Sequence, residues 1–403
     1  MNTSLQQQSF DASSDASSDA SSGIRPGEDH DFFPGLNTGR FIAAMLVLIA
    51  HGEAIRAHQG LPNMLQWSIV NPGSLAVSFF FVLSGFLITH VLLREKERRG
   101  TVAVGWFYQR RSLRILPLYF LLVILGTVVI PSLLPLLGIG YDIPYDQMSV
   151  VGWYVVMMPF VVNIHYDVFV IGPLWSIGVE EWYYLCIAPV IKRVSHRLHI
   201  AFGFVIVTKL ALLVLVDNDA ITGPVAGLIT LLSFEHMAAG GLIALMFRRR
   251  PAAASPRHGA RAALSIIVLA FLILRVTANV TLKDVIPMYA RICQSYAWTS
   301  VLDMILFAWS IHELVGRPKS LNGTVMRLLE RGGEYSYGIY MYHNLVAFAL
   351  TFGLRTTWVQ LGLPSAILLY HLALGIITLS IAVLSRHSFE AFFLRKQRRP
   401  SPQ

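Results

Sequence analysis

GRFIAAMLVLIAH, residues 39–51, is the stretch on which the fold class turns. The ten residues between Arg40 and His51 are all apolar, so the run suits a bilayer. Yet it opens with a guanidinium and closes with an imidazole. Eleven residues make about three helical turns, which puts both side chains on one face, roughly 16 Å apart along the axis. That is about half of a ~30 Å hydrocarbon core. With Arg40 at the membrane surface, His51 falls near the midplane. An ionisable group there costs at least ~2.5 kcal/mol and usually marks a functional pathway. On this segment alone, capping of a short span near the far interface is an equally good reading of His51. His58 shares the face but lies about two turns further on.

The rest of the chain has the same character. Its 403 residues are 55% hydrophobic and only 14% charged, with mean hydropathy +0.57. Soluble domains carry about 25% charged residues, so the composition predicts an all-α polytopic membrane protein. Two cysteines, Cys186 and Cys293, lie in or beside apolar runs and suggest neither a disulfide framework nor a metal site. The net charge of +9 does not imply nucleic acid, because the basic residues cluster in links between apolar runs. The repeat DASSDASSDASS at 11–22 has no apolar face to bury, so residues 1–35 read as a disordered leader. The basic end, residues 395–403, reads as a juxtamembrane tail.

Apolar runs predict helices near 38–58, 73–93, 113–131, 174–191, 199–216, 222–247, 262–279, 291–314, 335–354 and 365–393. A weaker run, 149–163, is interrupted by Pro159. The links REKERR, KRVSHR, FRRR, GRPK with RLLERGG, and the RKQRR end are basic. They fall on one side, as cytoplasmic loops do, only if 149–163 does not cross. The reading is therefore about ten spans around a central cavity, with both termini cytoplasmic, in the plasma (inner) membrane; counting 149–163 as a crossing gives eleven and puts KRVSHR outside, and ranks second. His51, Glu181 and His343 then reach similar depths, with Glu235 and His236 slightly deeper. Structural pairing between helices explains Glu235 and His236 as well as function does.

Further clusters carry possible chemistry. In RRSLRILPLY, residues 110–119, Arg110, Arg111 and Arg114 share a helix face, and guanidinium groups so placed suit phosphates. Positive-inside anchoring is the alternative, and is preferred for Arg94, Arg98 and Arg99. In PLWSIGVEEWYYL, residues 173–185, Glu180 and Glu181 sit well inside an apolar helix. They need partners on other helices, with His51 and Arg40 as candidates. Tyr119, Trp175, His343 and Glu235 are candidates for an acceptor site or the cavity wall. Ser84 and Gly85 read as small residues for close helix packing, and His343 as a histidine satisfied by a neighbouring hydroxyl.

GRFIAAMLVLIAH, FFFVLSGFLIT, RRSLRILPLYF, GPLWSIGVEEWYYL and YSYGIYMYHN, in this order, resemble the acyltransferase type-3 family of integral membrane acyltransferases. The likeness runs from about Leu36 to Leu394. It implies transfer of acyl groups, often acetyl, from cytoplasmic acyl-coenzyme A to hydroxyls of surface polysaccharides and some small molecules. The family's Arg-x10-His motif falls on Arg40 and His51, its coenzyme-associated RxxR motif on Arg111 and Arg114, and its glutamate motif on Glu180 and Glu181. Gly178, Trp182 and Tyr342 depart from the family's usual residues, which suggests a tuned acceptor site. No esterase-like domain follows the last span, so the resemblance is to the stand-alone form.

These lines join in one expectation. His51 acts as general base, or as an acyl-carrying nucleophile, oriented by Glu181 or Glu180. Arg111 and Arg114 hold the phosphates of acyl-coenzyme A (acetyl-coenzyme A in the commonest form), and Arg40 anchors the pantetheine end or polarises the thioester carbonyl. The partners are the coenzyme, a hydroxyl acceptor such as a glycan or glycolipid, and the lipid bilayer; no metal is required. The rival readings are transfer to a secreted small molecule and a proton-coupled glycolipid exporter, for which the RRxxR cluster has no use.

Overall fold

Runs of apolar residues, punctuated by Gly, Pro and basic links, fold as helices wherever the chain is described. The computed structural model describes residues 33, 35–64, 73–136, 138, 145–166, 170–249, 294–315, 323–361 and 363–396, and among these there is no strand. In chain order come α1 (Leu36–His58), α2 (Gly73–Arg99) and α3 (Val104–Ile124), which continues through a π-helical stretch, Leu125–Val129, into α4 (Ile130–Leu136). Two short helices follow, α5 (Gln147–Val155) and α6 (Pro159–His165). A 3-10 turn at Ser195–Arg197 then joins α7 (Leu174–Val194) to α8 (Leu198–Asp217). The remainder comprises α9 (Gly223–Leu231), α10 (Phe234–Arg249), α11 (Tyr296–Val315), α12 (Thr324–Glu334), α13 (Ser336–Gly353), α14 (Arg355–Gln360), α15 (Leu363–His387) and α16 (Phe389–Arg395).

Among the described residues, six stretches are long and apolar enough to cross a membrane: Leu36–His58, Gly73–Arg99, Val104–Leu136, Leu174–Asp217, Gly223–Arg248 and Pro364–Arg395. The chain is an all-α polytopic membrane protein. Its outer surface agrees, since Phe204 and Val207 on α8 and Leu368 and Ile376 on α15 are each more than half exposed. Apolar side chains displayed in that number suit lipid rather than water. α11 and α13, where the sequence predicts two further spans, are helices of 20 and 18 residues outside those six. The predicted span at 262–279 and the repeat-bearing leader lie outside the described residues, as does the chain after Lys396.

The weak run at 149–163 is two helices, not one. α5 has nine residues and α6 seven, so the longer spans about 14 Å and neither could cross the hydrocarbon core. Met157, at φ 59°, turns the chain between them, and Pro159 occupies the first turn of α6. The indole Nε1 of Trp182 on α7 donates to the Met157 carbonyl at 3.0 Å, which fixes this break against the bundle.

α2 and α10 share the most extensive packing among the described helices. A Cβ on Gly85 would collide with the backbone of Met237, and one on Gly240 with the backbone of Val82. Small residues therefore let two backbones touch, as FFFVLSGFLIT suggests. α1 packs against α2, α12, α13 and α15. Its own sequence supplies no side-chain cap. Glu330 of α12 supplies one: its Oε2 accepts from Gly35 N at 3.2 Å, Thr38 N at 3.0 Å and Thr38 Oγ1 at 2.8 Å. A carboxylate there meets the helix's unpaired N–H groups and its positive dipole end. The start of α1, and Arg40 one turn in, are thus held by a residue nearly 300 positions away.

Candidate active site

α1 is unbroken from Leu36 to His58, so Arg40 and His51 do share a face, about 16 Å apart. Each end of that face has its own cluster. At the Arg40 end the central group is Arg111 of α3. Its Nη2 lies 3.7 Å from Glu180 Oε2 and its Nε 3.7 Å from Glu181 Oε1. Its guanidinium also stacks 4.1 Å over the Tyr184 ring. Glu180 is secured again by Ser84 Oγ of α2, which donates at 2.9 Å, and by Tyr184 Oη, which donates at 2.7 Å. Arg111 and the two glutamates thus clamp α2, α3 and α7 together. The adjacent carboxylates point in different directions, and Arg111 spans both.

Arg114 differs from Arg111. It is exposed, and it makes no hydrogen bond or ion pair among the described residues. It lies within electrostatic reach of Arg111, Arg40 and Arg386 and of the Tyr337 hydroxyl. Arg40 is also without a hydrogen-bonded or ion-paired partner among the described residues, although Arg111, Glu180, Tyr184 and Glu330 are its electrostatic neighbours. Arg386, in the last turn of α15, keeps only a loose contact with Glu390 at 3.7 Å and is 38% exposed. Guanidinium groups from α1, α3 and α15 therefore converge, with Glu180, Glu330 and Glu390 as nearby carboxylates, and those of Arg40 and Arg114 are left unbonded among the described residues. Such a concentration attracts a polyanion.

At the His51 end the partner is His343 of α13. His343 Nε2 stands 3.2 Å from His51 Nδ1, with ring centroids 5.0 Å apart. His51 Nδ1 also lies 3.1 Å from the Val47 carbonyl, one turn back. His343 is fully buried. Its Nδ1 sits 2.6 Å from the Tyr340 carbonyl and 3.2 Å from that of Ile339. Among the described residues, no carboxylate contacts His51. Glu180 and Glu181 are instead engaged with Arg111, Ser84 and Tyr184.

The other candidates have partners of their own. Tyr119 is buried and donates to the Tyr154 carbonyl at 3.0 Å, tying α3 to α5. Trp175 packs edge-on against Phe81. Glu235 belongs to a separate buried cluster on α8, α10 and α11. There it accepts from Ser300 at 3.0 Å and faces His236 at 3.1 Å and Lys209 at 3.9 Å. Sequence reasoning missed Arg386, Tyr337, Ser84 as a glutamate donor, and Glu330. Arg386 lay near the end of the predicted last span, 365–393, where a lone cation reads as an ordinary interface anchor. Only a count of unmatched carboxylates against hydroxyls could have suggested Ser84 and Tyr184.

Comparisons with known proteins point one way. A family model described as an acyltransferase domain matches residues 33–387. Protein SACOL0978 of Staphylococcus aureus (strain COL) is 28% identical over 181 residues, covering 43% of this chain and 28% of the relative. The O-acetyltransferase OatA of Staphylococcus aureus (strain NCTC 8325 / PS 47) is 30% identical over 172 residues, covering 41% of this chain and 26% of the relative. The chain thus matches less than a third of either relative's length. No solved structure matches it.

Proposed function

The chain belongs to the acyltransferase type-3 family, and on that premise we propose that it transfers an acyl group, acetyl in the simplest case, from acyl-coenzyme A to a hydroxyl of a cell-surface glycan or glycolipid. The observation that carries this reading is the two-level face of α1. Arg114, within electrostatic reach of both Arg40 and Arg386, joins them in a group of guanidiniums at one end, and His51 is about 16 Å deeper. Phosphates of the coenzyme suit the cationic end because guanidinium groups can bind them bidentately. The pantetheine arm then reaches along α1 toward His51.

His51 acts as general base. Its imidazole takes the proton from the acceptor hydroxyl as the oxygen attacks the thioester carbonyl. The new C–O bond forms, the C–S bond breaks, and the proton returns to the departing sulfur as coenzyme A thiol. A positioned base of this kind contributes roughly 10²–10⁴ in rate. Arg111 has a supporting part: held by Glu180 and Glu181, it keeps α3 in register so that Arg114, one turn on, faces the coenzyme. The Lys/Arg excess of the links supports a cytoplasmic Arg40 end in a plasma membrane, where acyl-coenzyme A is available.

Purified protein in detergent tests the donor half. Coenzyme A and acetyl-coenzyme A should raise its melting temperature, and the Arg114→Ala protein should respond at higher ligand concentrations only. An absent response in the intact protein would favour the exporter.

A further inference from the structure

We propose that His343 is a positioning residue that fixes His51 in the Nδ1–H tautomer and so leaves His51 Nε2 as the basic nitrogen. This rests on the general-base reading above and goes beyond it, since the expected orienting group was a carboxylate. The argument is one of donors and acceptors. His343 Nδ1 is 2.6 Å from the Tyr340 carbonyl and 3.2 Å from that of Ile339. Carbonyl oxygens only accept, so this nitrogen carries the hydrogen. A neutral imidazole has one N–H, so His343 Nε2 presents a lone pair. That lone pair faces His51 Nδ1 at 3.2 Å. Two lone pairs at that distance repel, so His51 Nδ1 carries its ring's hydrogen. The Val47 carbonyl, 3.1 Å from the same atom, imposes the same choice independently.

A protonated His343 does not fit this site. Its Nε2–H would require a lone pair on His51 Nδ1, which would then oppose the Val47 oxygen. The cation would also be fully enclosed with no carboxylate in contact among the described residues. His343 is itself held firmly. The Tyr340 hydroxyl, one turn earlier on α13, lies 2.6 Å from Ser176 Oγ and 3.2 Å from the Pro173 carbonyl. Next in sequence, Asn344 Nδ2 donates to the Val170 carbonyl at 2.8 Å. Both tie α13 to the start of α7, so the lone pair offered to His51 is aimed by the bundle. In a serine-protease triad a carboxylate selects the tautomer; here the carboxylates are occupied by Arg111 and a second imidazole takes that part.

The test pairs kinetics with a tautomer measurement on the full chain. In His343→Ala the Val47 carbonyl still accepts from His51, so kcat should fall roughly ten- to a hundred-fold, the scale of a misoriented catalytic group. KM for acyl-coenzyme A should not change. His343→Gln, whose amide oxygen can accept from His51 Nδ1, should recover most of the loss. Nitrogen-15 spectra of histidine-labelled wild-type protein should show His51 with Nε2 unprotonated. Set beside the same spectra of His343→Ala, in which a larger share of His51 should carry its proton on Nε2, they decide the inference even if the wild type transfers no acyl group, an outcome that would instead sink the functional reading. A His51 carrying its proton on Nε2 would overturn the proposal. So would His343→Ala with wild-type kcat, or His343→Gln as impaired as His343→Ala at an unchanged melting temperature.

Discussion

Replacing Arg114 and Arg111 one at a time should separate coenzyme binding from architecture. The two residues are three apart on α3, yet their surroundings differ. Arg114 is exposed with no bonded partner among the described residues, so truncating it breaks nothing in the free protein. What it should remove is one or two charge-assisted hydrogen bonds to phosphate. At about 1.5–3 kcal/mol each, the loss of one weakens coenzyme binding roughly ten- to a hundred-fold. Arg111→Ala instead strands Glu180 and Glu181. Breaking a fully buried pair costs about 3–5 kcal/mol. Here the partners are 20%, 14% and 17% exposed and the contacts are 3.7 Å, so about 1–3 kcal/mol is the better expectation. The assay is coenzyme A affinity by calorimetry beside the melting temperature without ligand. Arg114→Ala should lose affinity at an unchanged melting point, with Arg114→Lys partly restored. Arg111→Ala should melt earlier. If Arg111→Ala melts like wild type while losing affinity as Arg114→Ala does, the clamp argument is wrong.

Two further outcomes follow from the same geometry. Glu330→Ala removes the acceptor for Gly35 N, Thr38 N and Thr38 Oγ1 and should cost about 1–2 kcal/mol, the scale of a lost helix cap; Glu330→Gln should retain much of it, and an unmoved melting temperature in both would remove the cap from the account. In a variant without Cys186 and Cys293, cysteines at the exposed positions 146 and 196 should label oppositely with an impermeant maleimide on intact cells, Asp146→Cys reacting and His196→Cys not. Labelling at 196 from outside would invert the assigned sidedness of α7 and α8.

Helix positions were legible because apolar content and length alone mark a bilayer span. The runs at 38–58 and 174–191 differ from α1 and α7 by a few residues at the ends. The break at Pro159 was visible as an interruption, since a proline disrupts a helix locally. Pairings between helices were not legible. The sequence shows that Glu180 and Glu181 need cations, and it offers Arg40 and His51 at the right depth. Rotation of each helix about its axis decides among candidates at one depth, and that rotation comes from packing such as Gly85 against Met237. The partners proved to be Arg111, Ser84 and Tyr184. The His51–His343 contact joins residues 292 apart, and Glu330 caps a helix from the far end of the chain. Neither leaves a periodic trace.

The central claim is that His51 carries the chemistry of acyl transfer. The most direct measurement compares surface-glycan mass spectra from a deletion strain complemented with wild-type protein or with His51→Ala, both at matched membrane abundance. For acetyl transfer, wild type should restore increments of ~42 Da per modified hydroxyl, the mass that acetylation adds. His51→Ala should restore none while still binding coenzyme A. Glycan acetylation at the wild-type level from His51→Ala would contradict the account.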